Sequence, residues 1–280
     1  MAGSNRITWT HRVLPSFVVL GLTLTMVMPI AASAAPAPVS CGGKAATIWG
    51  NGGANTLYGT ANDDVIWAGD GDDVIYGYGG NDTICAGPGA DSVYGGKGED
   101  ILYGGAGNDE LWSGAGVDAL FGHSGNDVLH AGPGLNFSYG GIGNDRITMF
   151  AGDGEIDGGK GFDTIDGHAA AGPVHIDLAD PNGSGGTFWT FKGGALLFSI
   201  EKAIGSEFND RIRGSAKDNV FVGRRGEDTM RGRGGDDTLY GGKDNDFLDG
   251  GIGTNHLYGG SGLSDRCTNG IYHGCEVTTV

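Results

Sequence analysis

From Ala68 to Asp166 the chain repeats one nine-residue phrase eleven times without losing frame: AGDGDDVIY, GYGGNDTIC, AGPGADSVY, GGKGEDILY and onward to GGKGFDTID. A short fixed period constrains the fold more than any other feature, because each repeat becomes one unit that stacks on its neighbours. With the phrase numbered 1 to 9, position 4 is glycine in all eleven copies, from Gly71 to Gly161. Position 6 is aspartate in nine, Asn136 and Gly154 being the exceptions, and position 8 is a branched aliphatic in ten, with Ser138 in the odd place. Glycine makes up 59 of 280 residues without a G-X-Y period, which excludes collagen; an aliphatic at every ninth residue argues against disorder.

The phrase prescribes its own geometry. Positions 7 to 9 read as a three-residue strand in which position 8 faces one way and positions 7 and 9 the other. Positions 1 to 6, rich in glycine and Asp/Asn, form a turn with backbone angles that other residues resist. One such strand cannot bury its aliphatic alone. Two successive phrases can, by running back and forth with their position-8 side chains face to face. This predicts an all-β fold: a flattened solenoid of two parallel sheets, one coil per ~18 residues, with coils at the ~4.8 Å strand spacing.

The phrase resembles the RTX, or haemolysin-type, calcium-binding nonapeptide repeat G-G-x-G-x-D-x-U-x, where U is a large aliphatic. The resemblance implies a calcium-dependent parallel β-roll, and the stacking explains the ion. Equivalent aspartates on adjacent coils lie about 5 Å apart, where two bare carboxylates repel by roughly 3 kcal/mol at an effective dielectric near 20. Calcium relieves this because it accepts six to eight oxygen ligands and mixes carboxylates with backbone carbonyls, whereas magnesium prefers a small octahedral shell.

Alternate copies fall on opposite edges. One edge of the first array carries Asp64, Asp82, Asp100 and Asp118 before decaying at Asn136 and Gly154. The other carries Asp73, Asp91, Asp109, Asp127, Asp145 and Asp163 without a gap, and is expected to hold the longer row of ions. In the second array Asp210, Asp228 and Asp246 form the better edge, and Asn219, Asp237 and Asn255 the weaker one. Some of these aspartates can instead cap their own turns, the terminal copies most readily.

The rest of the chain divides around the repeats. Residues 1–34 read as a secretory signal peptide: Arg6, His11 and Arg12, an apolar core Val13 to Ile30, and the small-residue site Ala32-Ser33-Ala34. Cleavage, favoured by the Ala/Pro run Ala34–Pro38, implies a secreted protein with no membrane insertion afterwards; a retained membrane anchor is the alternative. Residues 35–40 are a linker. Run backward, the frame places Ile48, Leu57 and Ile66 at position 8, so the first array with its N-terminal cap spans 41–166. Residues 167–204 break the frame; Val174–Leu178 and Leu196–Ile200 read as strands and Pro181–Gly186 as a loop. The resemblance implies that this insertion continues the sheet, a separate small domain being the alternative. A second array, 205–266, is offset by two residues, with position 8 failing at Arg266, and 267–280 form a C-terminal cap.

The net charge of −17 disfavours nucleic acid and anionic membranes as partners. Four cysteines in an exported chain suggest two disulfides. Cys267 and Cys275 are close in sequence. Cys41 and Cys85 lie more than two coils apart in strict register, so their pairing requires the segment around Cys41 to fold back over the first coils. Position 9 is often aromatic, with Trp49, Trp67, Tyr103, Phe121 and Tyr139 on one face and Tyr58, Tyr76, Tyr94 and Trp112 on the other. These ladders stabilise the sheets or dock a surface polysaccharide. Thr47, Thr56, Thr83 and Thr164 are too scattered to form an ice-binding file. No catalytic motif occurs, and His168 and His175 read as loop and strand-face residues. Enzymatic relatives in the resembling family carry a separate catalytic domain, for which 167–204 is too short. The expected function is calcium binding coupled to folding, without catalysis; the alternative is a calcium-dependent adhesin or glycan-binding protein.

Overall fold

The structure, a computed structural model, describes residues 40–148, 154–178, 186–190 and 193–277. The expected signal segment 1–34 lies outside the described residues. Among those described there is no helix, and the strands gather into a 12-stranded and a 15-stranded sheet plus a small N-terminal hairpin. The protein is a parallel β-roll. Strands pair with the strand two phrases later: Val93 with Leu111 and Leu111 with Leu129 in one sheet, Leu102 with Leu120 in the other.

The register puts every position-8 side chain between the sheets. Ile75, Val93, Leu111, Leu129, Ile147 and Ile165 form one file, and Ile66, Ile84, Leu102, Leu120 and Ile156 the other, all wholly buried. Each contributes about 1.5–3 kcal/mol relative to an exposed side chain. Ser138 interrupts the second file between Leu120 and Ile156, buried and with its hydroxyl unpartnered.

Central strands are longer than the expected three residues. Val74–Gly79 and Ile101–Ala106 run through position 3 of the next phrase, because turn backbones also ladder from coil to coil, as Tyr78 does with Gly96. This stacking explains the glycine at position 4. At Gly125, φ is +135°, and an added Cβ would collide with the Gly107 carbonyl of the preceding coil.

At the N-terminus, Ile48, Leu57 and Ile66 keep the frame by pairing with Ile66, Ile75 and Ile84. The phrase 41–49 departs from it at its start, where Ser40–Cys41 and Lys44–Ala45 form an antiparallel hairpin. That hairpin folds back and bonds Cys41 to Cys85, with Cα atoms 5.7 Å apart. In 167–204 one sheet continues directly, from Thr164–Asp166 to Lys202–Ile204. Ile165 pairs with Ala203 across 38 residues, two more than two whole coils, which is the origin of the frame offset. The other sheet takes in an antiparallel meander of Gly193–Phe198, Gly186–Thr190 and His175–Asp177 before parallel pairing resumes at Arg211–Arg213. At the C-terminus one extra residue enters the last coil. Cys267, and not Arg266, therefore takes position 8 opposite Leu248, and it is bonded to Cys275.

Candidate metal-binding edges

Each position-6 aspartate closes a glycine-rich turn at the edge of the roll, and the parallel register stacks these turns into columns. Asp64, Asp82, Asp100 and Asp118 stack on one edge; Asp73, Asp91, Asp109, Asp127, Asp145 and Asp163 stack on the other. Asp210, Asp228 and Asp246 form a third run, while Asp237 stands between Asn219 and Asn255. All fourteen are buried.

The two carboxylate oxygens do different things. Oδ1 accepts the backbone N–H of the equivalent residue one coil earlier: Asp73 donates to Asp91, and Asp91 to Asp109, at 2.7 and 2.9 Å. Oδ2 is buried with no hydrogen-bond partner at Asp73, Asp82, Asp91, Asp100, Asp109, Asp118, Asp127, Asp145, Asp163, Asp228, Asp237 and Asp246. An orphaned buried carboxylate oxygen is costly unless a cation satisfies it. Asp64 and Asp210 differ. Their Oδ2 atoms accept the N–H of Thr60 and Ser206, so these two cap their own turns at the start of a run.

The orphaned oxygens face a cradle. A Cβ built at Gly95 would lie 2.7 Å from Asp100 Oδ2 and 2.5 Å from the Ser113 carbonyl oxygen of the next coil. Glycine at position 1 therefore keeps carboxylate and carbonyl oxygens around one small space. Ala68, Ala86 and Ser113 occupy the same phrase position ahead of Asp73, Asp91 and Asp118, so a Cβ already takes up part of that space in their coils.

Electrostatics agree with the packing. Burial, reinforced by neighbouring carboxylates, pushes Asp82, Asp91, Asp145 and Asp163 up to about 6. It pushes Asp100, Asp109, Asp237 and Asp246 to about 7 and Asp228 to about 8. Asp73, Asp127 and Asp210 are raised for the same first reason. Among the described residues no three His, Cys, Asp or Glu side chains converge on one point. A cation on these edges would draw carboxylates from successive coils and complete its shell with turn carbonyls, a hard all-oxygen set suited to calcium.

Two contributors escape a reading of the strict frame. Asp265 extends the Asp246 column, accepting the Asp246 N–H at 3.0 Å with Oδ2 orphaned, but the extra residue hides it from the nine-residue count. Position 5 carries a second file in the opposite sense: Asn108 accepts the N–H of Asn126, and Asn126 that of Asn144. The recurrence of Asp/Asn at position 5 was the available signal.

The aromatic ladders form. Tyr58, Tyr76, Tyr94, Trp112 and His130 stack at centroid spacings of 4.5–5.5 Å, and Tyr103, Phe121 and Tyr139 at 5.1 Å. Cys85 separates Trp67 from Tyr103. Ring faces are turned to one another, so solvent meets mainly ring edges.

The model of the RTX calcium-binding nonapeptide repeat matches residues 49–84, 86–120, 112–147, 150–171, 204–239 and 231–263, well over half of the chain. No curated protein matches the sequence. Among solved structures, a hyperactive, Ca2+-dependent, β-helical antifreeze protein from an Antarctic bacterium aligns with 77% of this chain and 70% of its own at 17% identity. The TM-score is 0.30, too low to carry an argument.

Proposed function

The chain belongs to the RTX calcium-binding nonapeptide-repeat family, and from that premise we propose that it is an exported protein whose β-roll folds as calcium binds along its edges. The observation that carries this reading is the unbroken series of orphaned Oδ2 atoms from Asp73 to Asp145 and Asp163 on one edge. Calcium, when bound, supplies the counter-charge and the oxygen coordination that these buried carboxylates lack.

The protein's own residues do the remaining work. Position-1 glycines keep the cradle open, and position-6 aspartates bring one charge from each coil. Oδ1 meanwhile ties neighbouring coils through the backbone. In the unfolded chain the carboxylates are dispersed and hydrated, so affinity for the ion and stability of the roll become one quantity. Outside the cell calcium is abundant and disulfides persist, which suits the bridges Cys41–Cys85 and Cys267–Cys275. We read the chain as a binding and structural protein without enzymatic activity. The second reading, a polysaccharide ligand, has weaker support: Trp49 and Tyr58, at the ends of their files, are the most exposed ladder rings at 61% and 56%.

Calcium stoichiometry by equilibrium dialysis tests the first reading. Several ions per chain, reduced by Asp109→Asn and Asp127→Asn but not by Asp64→Asn, support it; no binding refutes it. Retention on a glycan resin that Trp49→Ala and Tyr58→Ala abolish would favour the second.

A further inference from the structure

Six of the ten arginines lie between Arg211 and Arg233, in a chain of net charge −17. Two strands of the second array set three of these arginines and Thr229 in a regular frame. Arg211–Arg213 pairs in parallel with Thr229–Arg231, so that Arg211 lies beside Thr229 and Arg213 beside Arg231. Ile212 and Met230 point into the core and are wholly buried. Strand alternation therefore puts Arg211, Arg213, Thr229 and Arg231 on the outer face. Strand spacing and rise place them at the corners of a rectangle about 5 by 7 Å. Together they line a concavity of about 100 Å3, roughly three water volumes.

The positive charge here is only partly neutralised. Asp177 lies beside Arg213 in register, but Arg233 takes both its oxygens in a forked pair at 2.7 and 2.9 Å, leaving Arg213 at 3.7 Å. Asp249 lies beside Arg231, yet accepts from Asn269 at 2.8 Å and from the Gly251 N–H at 3.2 Å. Among the described residues Arg211 and Arg231 make no ion pair with any carboxylate, and the neighbour of Arg211 on the other side is His175. Like charges directly across a strand pair destabilise a sheet unless something bridges them.

We propose that Arg211, Arg213, Thr229 and Arg231 form a binding site for a tetrahedral oxyanion, a sulfate or phosphate group, free or as an ester on a polymer. Guanidinium forks match such oxygens bidentately, and the Thr229 hydroxyl adds a donor between them. The site rests on strand register in the second array and is independent of the identity of any cation at the edges.

The experiment titrates the intact chain in saturating calcium, with circular dichroism on the same sample confirming that the roll is folded. Calorimetry follows inorganic sulfate, dextran sulfate and uncharged dextran. Arg211→Gln and Arg231→Gln should each weaken sulfate-group binding about tenfold. Lys217→Gln, which removes an equal charge elsewhere, should leave it unchanged. Binding of inorganic sulfate identifies a free oxyanion; binding of dextran sulfate alone, with the same arginine dependence, identifies an ester on a polymer. Absence of both, equal loss in Lys217→Gln, or undiminished binding in the Arg211→Gln/Arg231→Gln double variant overturns the proposal.

Discussion

Asp109 accepts the backbone N–H of Asp91 through Oδ1 at 2.9 Å and leaves Oδ2 buried without a partner. One side chain thus joins two coils and presents an unanswered charge at their junction. Asn136 shows how the two roles separate: its Oδ1 accepts the Asp118 N–H at 3.0 Å, while its amide donates to the Gly132 carbonyl.

Asp109→Asn should therefore keep the link to Asp91 and remove the charge. In chelator, where the parent roll is largely unfolded, the variant should show no less strand signal than the parent, since a buried unsatisfied carboxylate is gone. In calcium it should melt lower, with affinity at that rung reduced about tenfold. Far-UV circular dichroism in chelator and thermal melts in calcium check both signs.

Acid should substitute in part for calcium. In the metal-free roll, Asp82 sits at about 6, Asp100 at about 7 and Asp228 at about 8, all above the ordinary 3.8. The folded form thus holds protons that the unfolded chain has released. Its stabilisation from these groups is full below the ordinary value and is lost as pH rises through 6 to 8. Chelated protein should be more stable near about pH 5 than near about pH 8, and the increment from calcium should grow over the same interval. Far-UV circular dichroism of the chelated chain at the two pH values measures this, the strand signal being larger near about pH 5.

Ser138→Val should stabilise the roll. The serine occupies a core position between Leu120 and Ile156, with its hydroxyl buried and unpartnered. Replacing it with an aliphatic removes the orphan and fills the file, for a gain of about 1–2 kcal/mol by urea denaturation in calcium.

Gly125→Ala should do the reverse. Its φ of +135° and the Gly107 carbonyl against the added Cβ force a shift of stacked turns. A loss of about 1–3 kcal/mol is expected. The same exchange at Gly52, where a Cβ meets nothing within 4 Å and the backbone is not left-handed, should change stability by less than about 1 kcal/mol.

The reasons some features were legible in the sequence, and others not, are physical. Position 8 and its period fixed the two-sheet roll, because an aliphatic recurring every nine residues has one way to be buried repeatedly. The aspartate columns followed from the same register. What escaped depended on breaks in the count: Asp265 stands 19 residues after Asp246. The strand Gly186–Thr190 pairs antiparallel with partners on both sides, a long-range choice that its five residues do not encode. The division of labour between Oδ1 and Oδ2 needs the actual distance between coils; the rectangle of Arg211, Arg213, Thr229 and Arg231 lies in the second frame itself, but which of the nearby carboxylates Arg233 and Asn269 take up does not.

The most direct test of the central claim is far-UV circular dichroism of the chain during a calcium titration from a chelated start. The account predicts little strand signal in chelator, a cooperative rise as calcium is added, and its loss on renewed chelation at neutral pH. A chain that keeps its full strand signal and melting temperature in chelator would contradict it.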